Sequence, residues 1–239
     1  MQTKAILITG TDTGVGKTLV ACGIAAALRR RGLRVGPFKP AETGCNWDVD
    51  SKSLIPEDAL LLQEASQSIA PLDTICPYRF KSPVAPWVAA EIEGCALDSR
   101  KLKDRLKICY AELAASHDVV LVETAGGILV PLSEKFHYGD LARLFNLPVL
   151  VVIGNKLGAI NHALLTLAFL ESYGLKVAGC VVNHYTSERT AAIESNVDAL
   201  RKLISHPLYA VPNFTNPHDA WDREEFDELA GNLLEDVFA

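Results

Sequence analysis

The stretch that constrains this chain most is "AILITGTDTGVGKTLVACGIAAALRRRG", residues 5–32. A short apolar run ends at Gly10, a turn carrying Gly14 and Gly16 follows, and Lys17 and Thr18 open a segment of helical period. Strand, glycine-rich turn and helix in that order bring several backbone N–H groups around one point, at the positive end of the helix dipole. The turn is therefore predicted to cradle a phosphate, with Asp12, Thr13, Gly14, Val15 and Gly16 lining it. Lys17 would reach the β- and γ-phosphates, and the Thr18 hydroxyl would coordinate magnesium. The spacing is one residue off G-x-x-x-x-G-K-[ST]: the first glycine would fall at Thr11 but stands at Gly10. Partitioning-type ATPases carry a lysine in this loop at the place of Asp12, which argues against that subgroup.

The rest of the chain repeats the alternation. Apolar runs recur at "RVGPFKP", "DVVLVE", "PVLVVIG", "KVAGCVVN" and "PLYAV", most of them separated by helical stretches. Near-continuous Val, Ile and Leu suit strands covered on both faces, so the expected fold is α/β: three-layer, P-loop NTPase-like, with a mostly parallel central sheet. The 239 residues, 49% of them hydrophobic, are read as a single domain spanning 1–239. Residues 40–57 are expected to be a loop, and 71–86, with Pro71, Pro77, Pro83 and Pro86, to hold no regular element.

In a sheet of this kind ligands lie beyond the carboxyl ends of the strands. "KPAETG", "ETAGG", "NKLGAINH" and "NHYT" occupy those places after the phosphate turn. Pro40 favours an extended Lys39, whose ammonium can point into the crevice that holds Lys17; a solvated surface lysine is the alternative reading. Two lysines on one phosphoryl group would offset the charge developed during its transfer. Loss of either is expected to impair that transfer with little effect on folding. Glu123 closes the third major apolar run and could hold magnesium. Asp58 has the same chemistry but is also an ordinary first-turn helix residue. The Ala125-Gly126-Gly127 turn suits close backbone approach or simple flexibility.

Composition narrows the partners. Twenty-three basic against 29 acidic residues give a net charge of −6, which disfavours nucleic acid and anionic membranes as the main partner. The longest apolar segment, "LPVLVVI", falls far short of the roughly 20 residues that span a bilayer. No signal peptide is evident, and six scattered cysteines read as reduced thiols, so a cytoplasmic location is expected. The histidines have no metal-binding spacing, and no nucleophile and base pair stands out.

Five phrases, "GTDTGVGKT", "FKPAETG", "EDALLL", "VETAGG" and "KLGAINHALLT", together resemble the dethiobiotin synthetase family in order and spacing over essentially the whole chain. The resemblance implies a homodimeric ligase, dependent on ATP and Mg2+, that acts on 7,8-diaminononanoate and CO2 and closes a cyclic urea in biotin biosynthesis. It implies that Thr13, Lys17 and Lys39 contact the transferring phosphoryl group and the carbamate. Thr18, Asp58 and Glu123 would surround magnesium, Thr43 would contact the substrate, and Asn183 would read the purine. Gly158, Ala159, Ile160 and Asn161 would bind the substrate carboxylate across the subunit interface. Three places depart from the family: Thr124 stands where a glycine is usual, His184 where an acidic residue is frequent, and "VPNF" at 211–214 differs from the segment that closes over the base.

Overall fold

The computed structural model describes residues 4–95, 97–184, 186–214 and 216–238; Tyr185 of the "NHYT" phrase lies outside them. The strands are β1 (Lys4–Gly10), β2 (Val35–Phe38), β3 (Ala41–Thr43), β4 (Asn46–Asp48), β5 (Ser53–Ile55), β6 (Tyr78–Phe80), β7 (Val119–Gly127), β8 (Pro131–Ser133), β9 (Phe136–His137), β10 (Val149–Gly154), β11 (Val177–Asn183) and β12 (Leu208–Val211). The α-helices are α1 (Lys17–Arg30), α2 (Glu57–Ser66), α3 (Leu72–Ile75), α4 (Pro86–Ile92), α5 (Ser99–Ser116), α6 (Tyr138–Leu144), α7 (Ala159–Ser172), α8 (Ala191–Leu203) and α9 (Glu224–Asn232).

The six apolar runs read from the sequence form one parallel sheet, ordered β12-β11-β10-β1-β7-β2. Alternate residues of each strand feed opposite faces. Ile6 and Ile8 of β1 pack with Val20, Ile24 and Leu28 of α1 and with Phe226 and Leu229 of α9. Leu7, between them, packs on the other face with Leu102 and Leu106 of α5 and with Leu167 and Leu170 of α7. Three layers result, with helices on both faces of the sheet and the edge strand β12 only half-buried. After β1 the chain first builds the β7–β2 side and then crosses to the β10–β12 side. The crossover opens a crevice at the carboxyl end of β1.

Two expectations need correction. Residues 40–57 are not simply a loop: they hold β3, β4 and β5, with β4 and β5 forming a small antiparallel ribbon. Residues 71–86 include α3 and β6, and β6 pairs in parallel with β3. Three-residue strands are too short to leave a period in the sequence. The prolines sit at element boundaries, Pro71 at the cap of α3 and Pro86 as the first residue of α4, where the missing N–H costs nothing. No helix of the described residues is long and apolar enough to cross a membrane.

Candidate active site

The glycine-rich turn passes from the end of β1 into α1 at the crevice mouth. Gly16 is the N-cap of α1 with φ 87° and ψ 30°, left-handed backbone that favours glycine. A larger residue would also have to displace a neighbour: a Cβ on Gly16 would lie 2.1 Å from the Asn183 side-chain nitrogen. That nitrogen donates to the Val15 carbonyl at 2.9 Å, so the tip of β11 braces the turn from outside. Asn183 Oδ1 is buried without a hydrogen-bond partner among the described residues.

The turn forms one wall of a cavity of about 490 Å³, lined there by Thr13, Gly14, Gly16, Lys17 and Thr18. Lys39, Glu42 and Thr43 come from the strand ends after β2, Asp58 from the first turn of α2, and Glu123 to Gly126 from the end of β7. Pro83, Val84, Ala85 and Pro86 close the far side. The cavity wall thus gathers every phosphate- and metal-directed residue singled out in the sequence except Asp12 and Val15, the latter buried in the core, and it does not include Asn183.

Glu123 is the last residue of β7 paired in register before a bulge. It pairs with Ile8 of β1, but the next pair is Gly10 with Gly127, so β7 bulges over Thr124, Ala125 and Gly126. Gly126 takes φ 76°, and a Cβ there would meet Val130 at 2.9 Å and approach the Thr13 hydroxyl at 3.6 Å. Thr124 does not obstruct this turn. Its buried hydroxyl donates back to the Gly126 carbonyl at 2.7 Å and lies 3.2 Å from Thr9 Oγ1, from which it can accept.

The electrostatics centre on Lys39, which is 2% exposed. Its ammonium lies 2.7 Å from Asp58 Oδ2 and 2.6 Å from Glu123 Oε1. Burial lowers the Lys39 pKa, but the carboxylates of Glu123, Asp58 and Glu42 outweigh that and hold it well above the ordinary lysine value. Burial raises Asp58 too, and Lys39 more than offsets it, leaving that carboxyl below its usual range. Glu123, 1% exposed, stays raised because burial dominates. The Thr18 hydroxyl donates to Glu123 Oε1 at 2.8 Å, while Oε2 is buried with no partner among the described residues. Lys17 donates to the Asp12 carbonyl at 3.0 Å and is lowered by burial.

Two residues of this constellation escaped the sequence reading. Glu42 is 6% exposed, accepts hydrogen bonds from the Asp58 and Ala59 backbone, and is pushed up to about 7 by burial. Lys156 pairs with Asp12 at 2.8 Å, tying the phosphate turn to the loop before α7. The "NKLG" phrase was the available signal for Lys156, but nothing along the chain pairs it with a residue 144 positions away. The same loop is anchored by buried Asn155 and Asn196. Asn155 receives the Asn196 amide at 2.8 Å and donates to His184 Nδ1 at 3.0 Å, so His184 serves this network. Gly158, Ala159, Ile160 and Asn161 form the cap and first turn of α7 and do not line the cavity.

An AAA domain model matches residues 4–214. The ATP-dependent dethiobiotin synthetase of Anaeromyxobacter dehalogenans is 41% identical over 210 residues, covering 87% of this chain and 90% of that protein. The Aeromonas hydrophila enzyme of the same name is 39% identical over 218 residues, covering 91% and 94%. Among solved structures, cobyrinic acid a,c-diamide synthase from Mycobacterium smegmatis with a bound ATP analogue and magnesium superposes with TM-score 0.59 at 20% identity, covering 98% of this chain and 95% of that one. The septum site-determining protein from Pyrococcus horikoshii, complexed with Mg-ADP, gives TM-score 0.53 at 15% identity over 98% and 96%. Those two likenesses concern the fold alone. With about two-fifths of its residues shared with dethiobiotin synthetases over nearly their full length, and with the phosphate turn, Lys39 and Glu123 gathered around one cavity, the chain belongs to the dethiobiotin synthetase family.

Proposed function

We propose that this protein is an ATP- and Mg2+-dependent ligase that closes the cyclic urea of dethiobiotin from 7,8-diaminononanoate and CO2. The observation that carries the reading is the meeting of Lys17, Lys39 and Thr43 in one cavity beside a phosphate cradle. A switch-type ATPase has no need of a polar chamber next to its nucleotide. The volume of about 490 Å³ falls in the range of small-molecule sites.

The donor set suits magnesium: the Thr18 hydroxyl and the Asp58 and Glu123 carboxylates are hard oxygen ligands, and Glu123 Oε2 is buried without a partner among the described residues. When bound there, magnesium would supply charge neutralisation to the β- and γ-phosphate oxygens. The chain's own groups do the rest. The turn from Asp12 to Gly16 holds the phosphates through backbone N–H groups, and Lys17 and Thr13 face the γ-phosphoryl. Thr43, on the cavity wall, is assigned to contact with the substrate. One amine of the diamine takes up CO2 as a carbamate, and a carbamate oxygen attacks the γ-phosphorus while the bond to ADP breaks. The second amine then attacks the carbamate carbon, gives up a proton and expels phosphate. Lys39 and Lys17 offset the charge that builds on the transferring oxygens.

Asn183 is assigned to the purine; its buried Oδ1 has no partner among the described residues. The carboxylate of the substrate is assigned to Gly158, Ala159, Ile160 and Asn161 of a second copy, whose helix N-terminus suits an anion. In support, α7 and the loop before it expose Leu157 (85%) and Leu165 (62%), an apolar surface fit for a homodimer contact. The whole chain is assigned to one domain and to the cytoplasm. Phosphate release from ATP measured with and without the diamine and bicarbonate tests the reading. Strong stimulation by the pair is expected, and turnover indifferent to both substrates would refute it.

A further inference from the structure

α2 begins without a cap of its own. Its N-cap residue is Pro56, extended at φ −85° and ψ 92°, and no side chain at that position accepts a hydrogen bond. The N–H groups of the first turn are left over by helix geometry and are elsewhere satisfied by a Ser, Thr, Asp or Asn cap. Here Glu42 meets them from β3: Oε1 accepts from Asp58 N and Oε2 from Ala59 N, each at 3.0 Å. Asp58 is therefore held twice from one short stretch of chain. Glu42 grips its backbone, and Lys39 grips its carboxylate at 2.7 Å. A third acid placed beside Asp58 and Glu123 adds like charge to a buried site, and stabilising one helix end could be done more cheaply by a serine at 56.

We propose that Glu42 is a positioning residue: by capping α2 from a neighbouring strand it fixes where Asp58 presents its carboxylate to the cavity, and through Asp58 it sets the affinity of the site for a divalent cation. The inference rests on the assignment of Asp58 to magnesium made above. Residues that hold a metal ligand in place typically contribute about 10- to 100-fold to metal affinity.

The test uses the whole protein with a non-hydrolysable ATP analogue and Mn2+ as the paramagnetic probe. Glu42→Ala is expected to weaken Mn2+ binding by about 10- to 100-fold, with affinity for the metal-free nucleotide unchanged. Adding Pro56→Ser to that variant returns an acceptor to the same N–H groups and should recover most of the lost Mn2+ affinity. If Glu42→Ala does not fold, Glu42→Gln, which keeps one acceptor oxygen, replaces it with a smaller loss of the same sign. Parent-like Mn2+ affinity in a variant that only melts earlier would overturn the proposal, leaving Glu42 a structural cap. Parent-like affinity in Asp58→Ala would remove the metal assignment itself, and the proposal with it.

Discussion

Replacing Lys39 by methionine keeps the length of the side chain and removes its charge. In the parent, Glu123 Oε1 has two donors, the Lys39 ammonium at 2.6 Å and the Thr18 hydroxyl at 2.8 Å. The variant leaves a carboxylate that is 1% exposed with the hydroxyl alone. Asp58, 43% exposed at its side chain, can turn to water, so the penalty falls on Glu123. Removing one partner of a buried pair costs about 3–5 kcal/mol, a large part of the roughly 5–15 kcal/mol that holds an ordinary domain together. With an m-value near 3 kcal/mol per molar urea, the midpoint should fall by about 1–2 M. The sequence alone suggested that losing Lys39 would spare the fold; its burial between two acids predicts otherwise. The sign of the pH dependence follows. In the variant the folded-state pKa of Glu123 lies above its unfolded value, so stability is retained at low pH and lost as pH rises through the folded value. Urea unfolding followed by tryptophan fluorescence at several pH values reads both effects. A second variant, Lys39→Met with Glu123→Gln, should regain most of the loss. An unchanged midpoint at alkaline pH, or no recovery in the double variant, would refute the reasoning.

Other expectations follow from single contacts. Gly16→Ala combines left-handed backbone, about 1–2 kcal/mol, with displacement of Asn183 from the Val15 carbonyl; calorimetry should show a lowered Tm, and adding Asn183→Ala should relieve the steric part only. Arg34 donates to Asp118 through its backbone N, Nε and Nη2, and these bonds hold the Asp118 carboxyl down at about 2. A depressed carboxylate stabilises above its unfolded pKa and loses that contribution as pH falls through the folded value, so Asp118→Asn should flatten the parent's loss of stability between roughly pH 4 and 2. Cys95 is exposed while the other five cysteines are buried, and burial lifts Cys45 to about 11 and Cys180 to about 12. A colourless thiol reagent that releases a dye should therefore titrate one group quickly at neutral pH and the rest only after unfolding.

The main sheet was legible because its strands other than the edge strand β12 are largely covered on both faces and so read as apolar runs. "AILIT" and "PVLVVIG" could hardly be anything else. Strand order was not, since nothing in those runs says that β1 lies between β7 and β10. At the site, residue types at strand ends identified Lys17, Lys39 and Glu123, because that end of such a sheet is where ligands lie. The sequence could not say that Lys39 turns to Asp58 and Glu123, for Pro40 fixes backbone conformation and not the partners of a side chain. Glu42 was hidden for another reason. It stands in a strand of only three residues, where alternation cannot show which side faces the cavity. Thr124 looked like an obstacle by comparison with glycine, yet its hydroxyl satisfies the bulge it occupies.

The ion pair between Asp12 and Lys156 also bears on what position 12 can accommodate. A lysine introduced at 12 would replace the attraction to Lys156, now at 2.8 Å, by repulsion between two partly exposed ammonium groups. Such an exchange would loosen the tie between the phosphate turn and the loop before α7, and neutralising position 156 as well would remove the repulsion without restoring the tie.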